Sequence, residues 1–228
     1  MKKLIERIKT LKRNENHSLL HTLHTKHHLS RQTLLYIKEY GSESHTIKTI
    51  FKESLKILLF ASLISSFGGF ALEHIKLTFI SLFPLIILLP TLNDMVGDYG
   101  TIVSSRFSAM LHEGRINKNP TKNPEVKHLY KQIILISFLL VLFSAGMALF
   151  VSTYSGYAVT TLTIIKIILI AVIDVFIMIN VLFLISINAG LYFHRRNEDP
   201  NNVLIPITTA IADFGNMIVL FFLVTLFF

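Results

Sequence analysis

The chain has 228 residues, of which 52% are hydrophobic and only 16% charged, and its mean hydropathy is +0.57; that is too oily for a soluble domain of this size. The formal net charge of +8 would suit nucleic acid, but twelve of the 22 Lys and Arg precede Ile57, where they act as a topology signal for a membrane chain, and no nucleic-acid partner is expected. The absence of cysteine excludes disulfides, thiolate metal sites and thiol nucleophiles.

Residues 1–50 read as a basic, His-rich tail with no apolar run, so no cleavable signal peptide is expected. Within it, HSLLHTLHTKHH places His17, His21, His24 and His28 at spacings of four, three and four. On a helix this makes an imidazole stripe able to hold Zn²⁺ or Ni²⁺. The competing reading is a basic amphipathic helix on an anionic inner leaflet, whose histidines titrate near pH ~6.5.

Residues 51–228 are expected to form one transmembrane domain of five spans: Leu55 to Leu72, Leu77 to Met110, Ile133 to Val151, Ile164 to Tyr192, and Val203 to Phe228. The loops after the second and fourth spans, HEGRINKNPTKNPEVKHLYK and HRRNEDPNN, are basic. The tip STYSGYAVTT is uncharged, and the turn after the first span carries only Glu73, His74 and Lys76. This bias places the N-terminus in the cytoplasm and, after five crossings, the C-terminus outside.

The second span is unusual. As one straight helix it would be about 50 Å long, beyond the roughly 30 Å hydrocarbon core, and Pro84 and Pro90 predict a kink, tilt or break. After Pro90 it turns polar, and no lipid-facing helix tolerates that density of polar groups. Asp94, Asp98, Thr101 and Ser105 recur at helical spacing as one oxygen-bearing stripe, while Gly97 and Gly100 allow close approach of another helix. In the last span Asn202, Thr209, Asp213 and Asn216 form a second stripe. Asp213 lies roughly 15 Å into its span, where an unpaired charge costs at least about 2.5 kcal/mol. Facing stripes of carboxylate, hydroxyl and carbonyl oxygens suit hard dications, and Mg²⁺, which keeps its water, needs only a few carboxylates. In the fourth span Asp174 follows Lys166 by eight residues, and the two either bridge through the bundle or snorkel apart. Arg106 is expected to pair with a carboxylate or with headgroups.

The segments GDYGTIVSSRFSAMLHEG and EDPNNVLIPITTAIADFGNM resemble the signature regions of the MgtE magnesium channels and the related eukaryotic magnesium solute carriers, over roughly residues 50–228 and with the same spacing from Pro206 to Asp213. The resemblance implies an all-α membrane protein that works as a homodimer in the lipid bilayer, with a pore between protomers lined by the second and fifth helices. It implies that Asp213 of each subunit holds hydrated Mg²⁺ and that Thr209, one turn earlier, lends a carbonyl or hydroxyl. Two departures stand out: Asp98 replaces the family's Asn after Gly, and Asp94 matches no family carboxylate. Both make the path more acidic, and the alternative reading is an ion-coupled transporter of Mn²⁺, Co²⁺ or Ca²⁺. The bacterial channels carry magnesium-sensing and CBS domains ahead of the membrane part. Here about 50 residues precede the first span, so the closer likeness is to one half of a eukaryotic carrier, which a homodimer would complete.

Two other classes compete. A membrane-embedded alcohol-phosphate transferase would use an acidic Gly- and Arg-containing motif like Asp94, Gly97, Asp98 and Arg106, but it needs a further aspartate pair where this chain has His112, Glu113 and Gly114. No G-x-S-x-G nucleophile turn is present, and covalent catalysis is not expected. A membrane scaffold would have no need of acidic stripes.

Overall fold

The computed structural model describes residues 46–116, 120–195 and 200–228; the histidine stripe and most of the tail lie outside them. Regular structure among the described residues is entirely helical: α1 (Thr46–Ser81), α2 (Phe83–His112), a 3-10 turn (Pro120–Lys122), α3 (Pro124–Tyr154), α4 (Thr161–Arg195) and α5 (Pro200–Phe227). At about 1.5 Å per residue these helices are about 42 to 54 Å long. Four of them, α1, α3, α4 and α5, are long and apolar enough to cross a membrane, and the protein is a multi-pass membrane protein. Only α2 is too polar to qualify by composition, because of its second half.

The first boundary differs from the sequence expectation. No turn forms at Glu73 to Lys76; α1 continues, and Glu73 and Lys76 pair one turn apart on its exposed side. That segment contains no Gly or Pro to stop a helix. The break falls at Leu82, whose φ of −112° and ψ of 75° are non-helical, and Pro84 then occupies the first turn of α2, where its missing N–H has no partner to lose. Pro90 lies inside α2, and the helix runs on through it.

Helix α5 is the hub, packing against α1, α2 and α4, while α3 lies against α4 and α2. Fully buried Leu88, Leu92 and Phe107 of α2, Ile170, Met178 and Leu182 of α4 and Leu204 of α5 fill the centre. The hydroxyls of Ser104, Ser186 and Thr208, all buried, tie α2, α4 and α5 together with bonds of 3.1 Å from Ser104 to each of the other two. Close approach is also built in by small residues: a Cβ on Gly190 would stand 2.8 Å from the Phe107 ring.

Helix α1 is attached differently. Ala61, Ser65, Gly68, Leu72, Ile75 and Phe79 alternate spacings of four and three, a heptad seam, and this is the side that is covered, mainly by α5. A Cβ on Gly68 would lie 3.0 Å from Met217 Cγ and 3.4 Å from Phe214 Cα. The opposite side exposes Leu59, Phe60, Leu63, Phe67 and Phe70, a surface suited to lipid. On the other end of the domain, Asn123 caps α3 by accepting from Glu125 N at 2.8 Å and donates to Arg115 O at 2.8 Å, and Arg115 reaches Glu125 at 2.6 Å.

A candidate cation groove between α2 and α5

A groove of about 820 Å³ opens between the polar half of α2 and the middle of α5. From α2 it receives Thr91, Asn93, Asp94, Gly97, Asp98 and Thr101, and from α5 Thr209, Asp213 and Met217. Helical periodicity puts these residues on one face: Asp94, Asp98 and Thr101 are a turn apart, as are Thr209 and Asp213. Gly97 lines the groove with open space where a side chain would be. Asp94 and Asp98 are exposed, and Asp213 is half-buried at the wall.

Asp213 is held in place. Its Oδ1 accepts from Asn93 Nδ2 at 2.9 Å and its Oδ2 from Ser65 Oγ of α1 at 3.0 Å. Two donors stabilise an ionised carboxylate and fix its orientation, while each oxygen keeps a further lone pair for water or an ion. The groove hydroxyls are arranged in the same sense. Thr209 Oγ1 donates to Ile205 O at 2.9 Å and Thr101 Oγ1 to Gly97 O at 3.2 Å. With their hydrogens turned back onto the helix, these oxygens offer only acceptor capacity, which is what a cation or its water shell requires. Among the described residues no three His, Asp or Glu side chains converge closely enough to cage a bare metal ion.

The structure therefore brings together Asp94, Asp98, Thr101, Thr209 and Asp213 as the two stripes predicted. It separates others. Ser105 is exposed beyond the groove, and the Asn202 side chain lies outside the description. Asn216 belongs to the protein interior, fully buried, with its amide 3.3 Å from Asn93 Oδ1. Lys166 makes no bridge to Asp174; its ammonium donates to Phe227 O at 2.5 Å and sits over the Phe228 ring. Arg106 is exposed, and among the described residues it forms no ion pair with Asp98 or Asp213. The two residues that orient Asp213, Asn93 and Ser65, were not singled out by periodicity. Asn93 sits beside the stripe, one position before Asp94, and Ser65 is the one hydroxyl in the α1 heptad seam.

The family model described as MgtE, divalent cation transporter, matches residues 89–223, more than half of the chain, from the groove half of α2 to the last turns of α5. No curated protein and no solved structure matches the chain. Every residue that lines the groove falls within the matched segment, its three carboxylates Asp94, Asp98 and Asp213 included. The chain belongs to the MgtE family of divalent cation transporters.

Proposed function

We propose that this protein carries Mg²⁺ across the cell membrane along an acidic path completed where two protomers meet. The observation that carries the reading is Asp213, a half-buried carboxylate at the wall of an oxygen-lined groove, with both oxygens already fixed by donors. In such a site an ion is captured with its water shell, the mode that suits Mg²⁺ because it dehydrates reluctantly. Asp213, Asp98, Asp94 and Thr209 are the residues we assign to the ion. Transport is electrostatic capture and release, with no covalent step.

A single groove is open along one side, and in a bilayer that side of α2 cannot face lipid. A second copy placed by a two-fold axis covers it with the same surface and sets carboxylate against carboxylate, an arrangement that a dication relieves. In this reading α2 crosses the membrane with its polar half toward the path, and the basic loops keep the N-terminal tail in the cytoplasm. Asp94 and Asp98 add charge to the mouth, and this favours Mn²⁺, Co²⁺ or Ca²⁺ as competing substrates. The test is flux into proteoliposomes containing the full chain, with and without imposed Na⁺ and H⁺ gradients. Saturable Mg²⁺ entry supports the reading; absence of Mg²⁺ entry under every gradient, with another dication carried, replaces it.

A further inference from the structure

Asp174 lies in the middle of α4, fully buried and apart from the groove. Among the described residues no Lys, Arg or His forms an ion pair with it. Lys166, two turns earlier, is engaged at the end of α5. Tyr130 of α3 donates to Asn180 Oδ1, and the buried hydroxyl of Tyr99 on α2 has no hydrogen-bond partner among the described residues. An ionised carboxylate without a counter-charge is among the costliest groups a membrane interior can hold.

The neighbour of Asp174 is Asn216 of α5. One end of that amide lies 2.6 Å from Asp174 Oδ2 and 3.3 Å from Oδ1, and the other end lies 3.3 Å from Asn93 Oδ1. Asn93 in turn donates to Asp213 at 2.9 Å. Three links thus join Asp174, Asn216, Asn93 and Asp213 across α4, α5 and α2.

Each amide has one donating and one accepting end, whereas an ionised carboxylate only accepts. A line with acceptors at both ends and two amides between them cannot satisfy all three links. If the Asn216 nitrogen points to Asp174, its oxygen meets the Asn93 oxygen; if it points to Asn93, its oxygen meets Asp174 at 2.6 Å. One proton removes the conflict, and 2.6 Å is the length of an O–H···O bond. Asp213 already has two donors and an open groove, so it needs no proton. Asp174 has neither.

We propose that Asp174 keeps a proton, donates a hydrogen bond through it to Asn216 Oδ1, and through the Asn216 and Asn93 amides acts as a positioning residue that aims a donor at the Asp213 carboxylate. All three bonds then run in one direction, from the buried acid to the groove, and reinforce one another. The transport consequence rests on Asp213 being the ion site.

Infrared spectra of the full chain in lipid at neutral pH decide the proton. The expected result is a protonated-carboxyl C=O band that shifts on carbon-13 labelling of aspartate, vanishes in Asp174→Asn and survives in Asp213→Asn. A wild-type spectrum without that band, or its loss in Asp213→Asn, overturns the proposal. Mg²⁺ flux decides the positioning role. Asp174→Asn, whose amide can donate to Asn216 as the acid does, keeps its half-saturating Mg²⁺ within roughly threefold, whereas Asp174→Leu leaves that oxygen without a donor and raises it roughly tenfold. Equal losses in both variants, or no loss in either, overturn the role. Asn216→Leu breaks the same line and carries the same roughly tenfold expectation if Asp174→Leu does not fold. Normal flux in Asp213→Asn removes the ion-site reading, and the infrared result still decides where the proton sits.

Discussion

Replacing Asp213 by Asn keeps the side chain's shape and an oxygen that can accept from Ser65 or Asn93, and removes one negative charge from the groove wall. Coulomb's law gives the size of the effect. For a dication held through its water shell, roughly 5 Å from the carboxylate, the attraction is about 1.7 kcal/mol at the dielectric constant of water. Asp213 is half-buried, so the effective dielectric is lower and this figure is a floor. At tenfold per 1.4 kcal/mol, one charge removed raises the half-saturating Mg²⁺ concentration about fifteen-fold, and two removed at a dimer axis raise it about two hundred-fold. The assay is dye-reported Mg²⁺ entry into proteoliposomes over three or more decades of concentration, with circular dichroism to verify the helices. A folded variant whose half-saturation and maximal rate both lie within about twofold of wild type would refute the electrostatic argument.

Asp98→Asn should weaken competition by Mn²⁺ and Ca²⁺ against Mg²⁺ flux, because the exposed Asp98 contributes field at the mouth rather than a fixed contact; unaltered competition curves would make it a structural residue. Gly190→Val places a side chain 2.8 Å from the Phe107 ring and is expected to cost about 1–3 kcal/mol, read as a lowered Tm in detergent. Gly146→Val, where nothing lies within 4 Å, is the control and should leave Tm nearly unchanged. Deleting residues 1–45 should leave Mg²⁺ flux largely intact, since the groove is built from α2 and α5; a folded truncation that transports under no condition would put the tail in the path.

Much of the groove is legible in the sequence because a helix converts spacing into a face: Asp94, Asp98 and Thr101, or Thr209 and Asp213, line up whatever surrounds them. The same rule fails for Asn216. It stands three residues after Asp213, an angular offset that carries it from the groove wall into the bundle, and only the position of α4 decides which side is wet. The bond from Ser65 to Asp213 spans 148 residues and that from Asn93 spans 120, and no local pattern encodes which helices meet. The end of α1 is not legible in its charges. Glu73 and Lys76 pair on a helix surface instead, and the backbone stops only where Pro84 imposes a new start.

The heptad seam gives α1 an unusual relation to the groove. Helices α2, α4 and α5 are cross-tied by buried hydroxyls, whereas α1 rests along a single seam, mainly against α5. Among the described residues, the hydrogen bond that crosses that seam is the one from the Ser65 hydroxyl to Asp213. The seam positions on either side of Ser65 are Ala61 and Gly68, neither of which has a hydroxyl to offer. A slip of α1 along α5 by one helical turn, about 5.4 Å, would bring Leu72 or Ser65 to the place of Gly68, where even a Cβ would stand 3.0 Å from Met217 Cγ, while unhooking one of the two donors from the carboxylate. The close fit at Gly68 and the hydroxyl three residues before it thus hold α1 and the groove carboxylate in a single register.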